Sequence, residues 1–329
     1  MLDQLQTIFT QLVALLPDGI VLVGDTIPER FYRDWSSLPP VRPKAVALPR
    51  STEQVSLILA YCTQHRIPVV PQGGLTGLAG GARPISGSLV INLSRMSAVE
   101  ELDLNMATVT VQAGATLQDV QIAVDSAGMM LTLDLGARGS CLIGGNIATN
   151  AGGNRVIRYG MARDHVLGLE FVLSDGTVVT SLNKMLKNNA GYDLKQFMIG
   201  SEGTLGIITR AVLRLQPKPS TLATALCSCP DYPAVLDLLR NARRLLGPSL
   251  TAFEVMWPSF YETMLERLTD LRRPLGGVKG IHVLIESTGF DPAHDRGRFE
   301  SFLENMLESG EVSDACLLYT SDAADDTPC

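Results

Sequence analysis

With 329 residues, 46% of them hydrophobic, the chain is long enough for two domains with cores of their own. No apolar run approaches the roughly 20 residues of a membrane-spanning helix. A net charge of −7 with unclustered Lys and Arg excludes a nucleic-acid binder, which needs a basic face.

The periodicity predicts a first helix over 2–16, with Leu2, Leu5, Ile8, Leu12 and Leu15 at helical spacing, stopped by Pro17-Asp18-Gly19. No charged start of a secretory signal precedes it, so the expected location is cytoplasmic. A strand at Val46–Pro49 follows, then a helix opened by the capping box Ser51-x-x-Gln54 with Val55, Ile58, Leu59 and Cys62 on one face. The apolar run 67–70 reads as a buried strand ending at Pro71, so that a β-α-β unit delivers the stretch PQGGLTGLAGG. Gly73, Gly74, Gly77, Gly80 and Gly81 crowd that stretch, as happens where backbone amides must approach an anion closely. It is no Walker loop, because Ala82-Arg83-Pro84 stands where Gly-Lys-Ser/Thr would be. The dinucleotide fingerprint G-x-G-x-x-G is absent too, and the loop leads into a strand at 88–93 instead of a helix.

Beyond it come a strand at 108–111 and a helix capped by Thr116, with Leu117, Val120 and Val124 inward and Gly128 at its end. A second glycine-rich stretch, 133–153, mixes Gly139, Gly144, Gly145 and Gly153 with Ser140, Asn146 and Thr149. Strands at 169–173 and 178–180 flank the hairpin turn Asp175-Gly176. The third stretch, 188–215, spaces glycines at 191, 200, 203 and 206 before a β-branched strand. Three glycine segments without a Ser-His or Cys-His pair point to one long ligand, an extended dinucleotide, wrapped by backbone. The cysteines at 62, 141, 227, 229, 316 and 329 and the four scattered histidines offer neither a disulfide framework nor a metal set.

The ordered motifs PQGGLTGLAGG, GSCLIGGNIATNAGG, RYG, GLEFVLSDGT and GYDLKQFMIGSEGTLGIIT resemble the FAD-binding domain of the vanillyl-alcohol oxidase and p-cresol methylhydroxylase superfamily. Within it the likeness is to the D-2-hydroxyglutarate and D-lactate dehydrogenase branch. The resemblance implies an α+β chain: an N-terminal helical segment over 1–39, a two-subdomain FAD-binding domain over 40–218 and a partial α+β substrate (cap) domain over 219–315. It places FAD against Gly73, Gly74, Leu75, Thr76, Gly77, Leu78, Gly139, Ser140, Gly144, Gly145, Asn146, Thr149, Gly153, Gly206, Ile207 and Ile208. Some relatives attach the flavin through a histidine at the position of Leu75, so here the cofactor is expected to be non-covalent. The implied reaction is oxidation of a small D-2-hydroxy acid by hydride transfer to flavin, with the electron acceptor unknown. A non-catalytic flavin or nucleotide module and a nicotinamide-dependent reductase stay open as rivals.

From Pro217 the texture becomes regularly alternating strands and helices, with Phe253 and Trp257 expected in the core. The segment CLLYTSDAADDTPC, 316–329, departs from the family pattern and is similar to a translated sequencing adaptor, so a non-native tail without strand or helix is expected there. Catalytic residues and a divalent metal site are then expected only in a longer protein. The chain as written should not turn over, and Val283 and Ile285 should lie exposed.

Overall fold

A computed structural model describes residues 2–267, 274, 275 and 280–318. The chain is α+β and forms two compact units, Met1–Gly152 with Met161–Pro217, and Gly153–Gly160 with Lys218–Cys329.

The first unit begins with α1 (Leu2–Ala14), β1 (Val21–Val23), β2 (Ala45–Ala47), α2 (Thr52–Gln64), β3 (Val69–Gln72) and β4 (Leu89–Asn92). Its four strands make one sheet in the order β1-β2-β4-β3, with β4 parallel to both β2 and β3. The strand before the glycine loop runs two residues further than Val70, through Pro71 to Gln72. Gln72 pairs with Asn92, and Pro71 is accommodated because β3 is an edge strand whose missing N–H costs no ladder bond. The Ser51 half of the capping box forms, its Oγ accepting from the Gln54 amide at 3.4 Å, while Gln54 Oε1 reaches one residue further back and accepts from the Arg50 amide at 2.7 Å. Val55, Ile58, Leu59 and Cys62 are all buried on its inner face.

Next come β5 (Val99–Asp103), β6 (Thr108–Gln112), α3 (Leu117–Asp125), β7 (Met129–Met130), α4 (Ile143–Ala148), α5 (Val156–Tyr159, in the second unit), α6 (Ala162–His165), β8 (Val166–Val172), β9 (Val178–Ser181), α7 (Lys195–Met198), β10 (Ile207–Arg214) and β11 (Gln216–Pro217). They build an antiparallel sheet in the order β5-β6-β10-β8-β9, while β7 and β11 pair as a short ribbon. The β8–β9 turn carries Gly176 at φ +89°, and a Cβ there would stand 2.7 Å from the Ser56 carbonyl oxygen of α2. Glycine thus serves both the hairpin and its seat on the helix.

In the second unit β12 (Thr221–Cys229), α8 (Tyr232–Leu245), β13 (Leu250–Met256), α9 (Pro258–Arg267), β14 (Ile281–Gly289), α10 (Asp295–Ser309) and β15 (Asp314–Leu318) give the antiparallel sheet β13-β14-β12-β15. Asp231 caps α8 by accepting from the Ala234 amide at 2.9 Å. Val235, Leu238, Phe299, Phe302 and Met306 from α8 and α10 form one core with Ala225, Cys227, Cys229, Val283 and Ile285.

Three expectations are corrected here. Val283 and Ile285 are fully buried, because α8 and α10 cover their face of the sheet. Trp257 is 54% exposed and stacks on Tyr232 at 5.9 Å, since it follows the last residue of an edge strand and points past the core; Phe253 is half-buried against that core. Residues 316–318 are in an edge strand, with Cys316 opposite Leu226 and Leu318 opposite Thr224. An open sheet edge offers unpaired backbone groups that a short apolar segment can satisfy whatever its origin. The rest of the tail, 319–329, lies outside the described residues.

Cys227 and Cys229 lie on one face of β12, and burial pushes their thiols up to about 12 and about 11. The folded state then keeps protons that the unfolded state loses above about pH 9. Stability should accordingly fall as pH rises from 9 toward 11, by about 1.4 kcal/mol per pH unit for each thiol. Urea titrations at pH 8 and pH 10.5 would check this, with a Cys227→Ala, Cys229→Ala chain showing a shallower slope and the buried thiols of Cys62 and Cys141, also raised by burial, supplying what remains.

Candidate functional site

The first unit holds a cavity of about 480 Å³, within the range of ligand pockets. Three segments meet there. The end of β3 and the loop after it supply residues 71–79, 81 and 82, α4 and the residues flanking it supply 142, 144–146, 148 and 149, and the start of β10 with its lead-in supplies 202, 203 and 206–208. Asp34, Leu93 and Ala113 complete the wall.

The glycines do different work. A Cβ on Gly74 would overlap the Ser140 carbonyl oxygen and stand 2.9 Å from the Cys141 Cα, so this residue lets two main chains touch. Gly144 permits the same against Ala113, whose carbonyl oxygen accepts from the Gly144 amide at 2.7 Å and anchors α4 to the end of β6. Gly206 lies against the Val172 carbonyl, 2.6 Å from where its Cβ would be. Gly145, by contrast, is half-buried and has open space at its Cβ position, a cradle that any larger residue would fill. Gly77 also meets nothing and its φ is not left-handed, so the backbone does not require glycine there.

Among the described residues, no hydrogen bond is donated by the amides of residues 74–79. Leu75, within this run, holds φ +60°, a left-handed conformation that costs a non-glycine residue on the order of 1–3 kcal/mol. A row of free amides in a partly strained loop is an anion-binding nest. The loop starts from a fixed point, because the buried Asn92 side chain donates to the Gly73 carbonyl at 3.0 Å and accepts from the Ser94 amide at 3.1 Å. Glu202 and Gly203, both at left-handed φ, turn the third segment beneath the loop, where Gly203 packs against Pro71 and the Glu202 amide donates to the Ala148 carbonyl at 2.8 Å. Among the described residues the lining holds no Lys, Arg or His. Donors for an anion are therefore backbone amides, and a dinucleotide's diphosphate fits them.

Of the sixteen residues expected at the cofactor, Gly73, Gly74, Leu75, Thr76, Gly77, Leu78, Gly144, Gly145, Asn146, Thr149, Gly206, Ile207 and Ile208 line this cavity. Gly139, Ser140 and Gly153 do not. Ser140 acts through its carbonyl against Gly74, Gly139 lies beside Gln118, and Gly153, at φ +87°, belongs to the second unit. Asp34, Gln72 and Glu202 also line the cavity: Gln72 and Glu202 lie within the glycine motifs, where the glycines carry the signal, and Asp34 is a lone polar residue outside them. Among the described residues no cluster of three or more metal-ligating side chains occurs.

Residues 43–181 match the family model described as an FAD binding domain. The chain is 42% identical over 284 residues to the mitochondrial D-2-hydroxyglutarate dehydrogenase of Arabidopsis thaliana, covering 86% of this chain and 51% of that protein. The Bos taurus protein of the same name is 42% identical over 313 residues, covering 91% and 57%. A putative D-lactate dehydrogenase of Schizosaccharomyces pombe is 37% identical, covering 88% and 55%. The chain spans about half the length of the curated relatives it matches. Among solved structures, p-cresol methylhydroxylase with substrate bound superposes with a TM-score of 0.77 at 17% identity, over 100% of this chain and 68% of that one. A 4-ethylphenol oxidase from Gulosibacter chungangensis gives 0.75 at 19%, over 96% and 65%; likeness at this identity concerns the fold. The free amides of 74–79, the Gly145 cradle and the matched domain agree: residues 43–181 carry an FAD binding domain, in a chain similar to D-2-hydroxyglutarate and D-lactate dehydrogenases.

Proposed function

We propose that this chain is the FAD-carrying portion of a dehydrogenase that converts a D-2-hydroxy acid to the 2-oxo acid, with 2-hydroxyglutarate favoured over lactate or glycolate. The observation that carries the reading is a cavity without Lys, Arg or His, lined by residues 74–79, whose amides donate no hydrogen bond among the described residues. When bound, FAD supplies the acceptor for a hydride from the hydroxyl-bearing carbon. The chain's own residues bind and orient: the amides of 74–79 take the diphosphate, Gly145 leaves room for close approach, and Ile207 and Ile208 offer an apolar wall. Leu75 has no nucleophilic atom, so the cofactor is held without a covalent bond. The relatives' names supply the substrate class, and their greater length is where the substrate-binding and proton-accepting groups are sought.

The purified protein is expected to be yellow, releasing stoichiometric flavin into the supernatant on denaturation. Anaerobic bleaching of that flavin by D-2-hydroxyglutarate, but not by its L isomer, is expected for a version extended to the length of the relatives. A colourless protein that flavin does not reconstitute would overturn the reading. So would flavin reduced by NADH and by no hydroxy acid.

A further inference from the structure

The strongest unassigned feature is the segment 31–39, which precedes the matched domain at 43–181. It is sewn to the glycine loop along its length. Gln72, buried under the loop, donates through Nε2 to the Phe31 carbonyl at 3.1 Å and the Ala82 carbonyl at 2.8 Å. The Trp35 amide donates to the Gly77 carbonyl at 3.1 Å, in the middle of the amide row. Leu38 Cδ1 lies 2.6 Å from where a Cβ on Gly80 would be, and Arg83 Nε donates to the Pro39 carbonyl.

At the centre of this seam is Asp34, 5% exposed and part of the cavity wall. Its Oδ1 accepts from the Ser36 amide at 3.0 Å. Burial works against its charge, yet the hydrogen bonds from Ser36 and the influence of the Ala82 amide outweigh it and hold the carboxyl below its usual value. A buried carboxylate beside an anion nest repels the ligand's charge, so its presence there must be offset by what it arranges. What it arranges is the far end of the loop, since Ala82 follows the last glycine. Its Oδ2 is buried without a hydrogen-bond partner among the described residues and so has an acceptor to spare.

We propose that Asp34 is a positioning residue of the FAD site, the anchor by which segment 31–39 fixes the glycine loop with its amides turned to the diphosphate. This rests on the cofactor reading above. Two effects of opposite sign separate anchor from bystander. Asp34→Asn removes the charge at nearly constant shape: if Asp34 merely stood near the phosphates, FAD would bind more tightly. If it is the anchor, the neutral amide oxygen left in Asp34→Asn holds Ser36 less strongly than the carboxylate did, while the NH₂ is buried at the place of Oδ2, and affinity falls by about tenfold.

The test is FAD affinity of the apoprotein, read by quenching of flavin fluorescence, for the wild type, Asp34→Asn and Asp34→Ala, with apoprotein melting temperatures measured alongside. Weaker binding in both variants at melting temperatures near wild type supports the proposal. Equal or tighter binding in Asp34→Asn overturns it. Hydrogen exchange on the wild type needs no variant to fold: FAD should slow exchange at the Trp35, Ser36 and Ala82 amides together. Protection confined to residues 74–79 would overturn the proposal while leaving the cofactor reading intact. A wild type that binds no FAD overturns both.

Discussion

Gly74→Ala is expected to empty the cofactor site while leaving the fold in place. The added methyl would overlap the Ser140 carbonyl oxygen, and that backbone cannot retreat. The Ser140 and Cys141 amides both donate to the Ala137 carbonyl at 2.8 Å, and the Cys141 carbonyl accepts from the Leu117 amide at 3.1 Å at the start of α3. The glycine loop must move instead, and the amides of 74–79 move with it. Each charge-assisted hydrogen bond to phosphate is worth about 1.5–3 kcal/mol, so losing alignment at two of them lowers affinity by about a hundredfold or more. Flavin content after purification and the apoprotein's melting temperature check the expectation together. Stoichiometric flavin in Gly74→Ala would show that the contact with Ser140 does not fix the loop. Gly77→Ala isolates the other cause, because it meets no protein atom and any loss there comes from ligand space alone.

Glu170→Ala should cost the first unit about 3 kcal/mol of stability. Glu170 on β8 is 8% exposed, and its Oε1 accepts from the Thr52 hydroxyl at 2.6 Å and the Thr209 hydroxyl at 3.0 Å. Arg210 lies 3.6 Å from its other oxygen and also pairs with Glu100, to which its Nε donates at 2.8 Å. One carboxylate thus joins the start of α2, strand β10 and, through Arg210, strand β5. Removing it strands the buried Thr52 hydroxyl, leaves Thr209 with only the residue-170 carbonyl at 3.3 Å, and leaves the guanidinium with Glu100. Glu170→Gln keeps an acceptor for the hydroxyls and should lose about 1 kcal/mol. Urea unfolding of the three chains would measure this, and a loss below about 0.5 kcal/mol in the alanine variant would show that the network adds no net stability. Thr209 is next to Ile208 in the cavity wall, so flavin affinity should weaken in the same order.

Much of this was legible in the residues themselves. The caps at Ser51 and Thr116 and the inner faces of α2 and α3 follow from local periodicity and from hydrogen bonds spanning three residues; Thr116 Oγ1 accepts from the Asp119 amide at 3.0 Å. The glycine stretches announced a backbone-walled ligand site because their density has few other causes. What sequence did not determine is which glycine does what. Gly74, Gly144 and Gly206 are small because a distant main chain lies against them, Gly145 because space is kept open beside it, and Gly77 for neither reason. Long-range contacts of this kind depend on which segments the sheets bring together, and no spacing along the chain encodes them. The same holds for Trp257, whose exposure is set by its place at the end of an edge strand, and for Leu318, paired because β12 had a free edge. Asp34 is the clearest case. In sequence it is one acidic residue outside any motif; in the tertiary structure it lies nearly buried at the cavity wall, held by Ser36 and Ala82. Local chemistry fixed the elements and the kind of ligand, whereas the packing of two sheets and one N-terminal segment decided which side chains meet it.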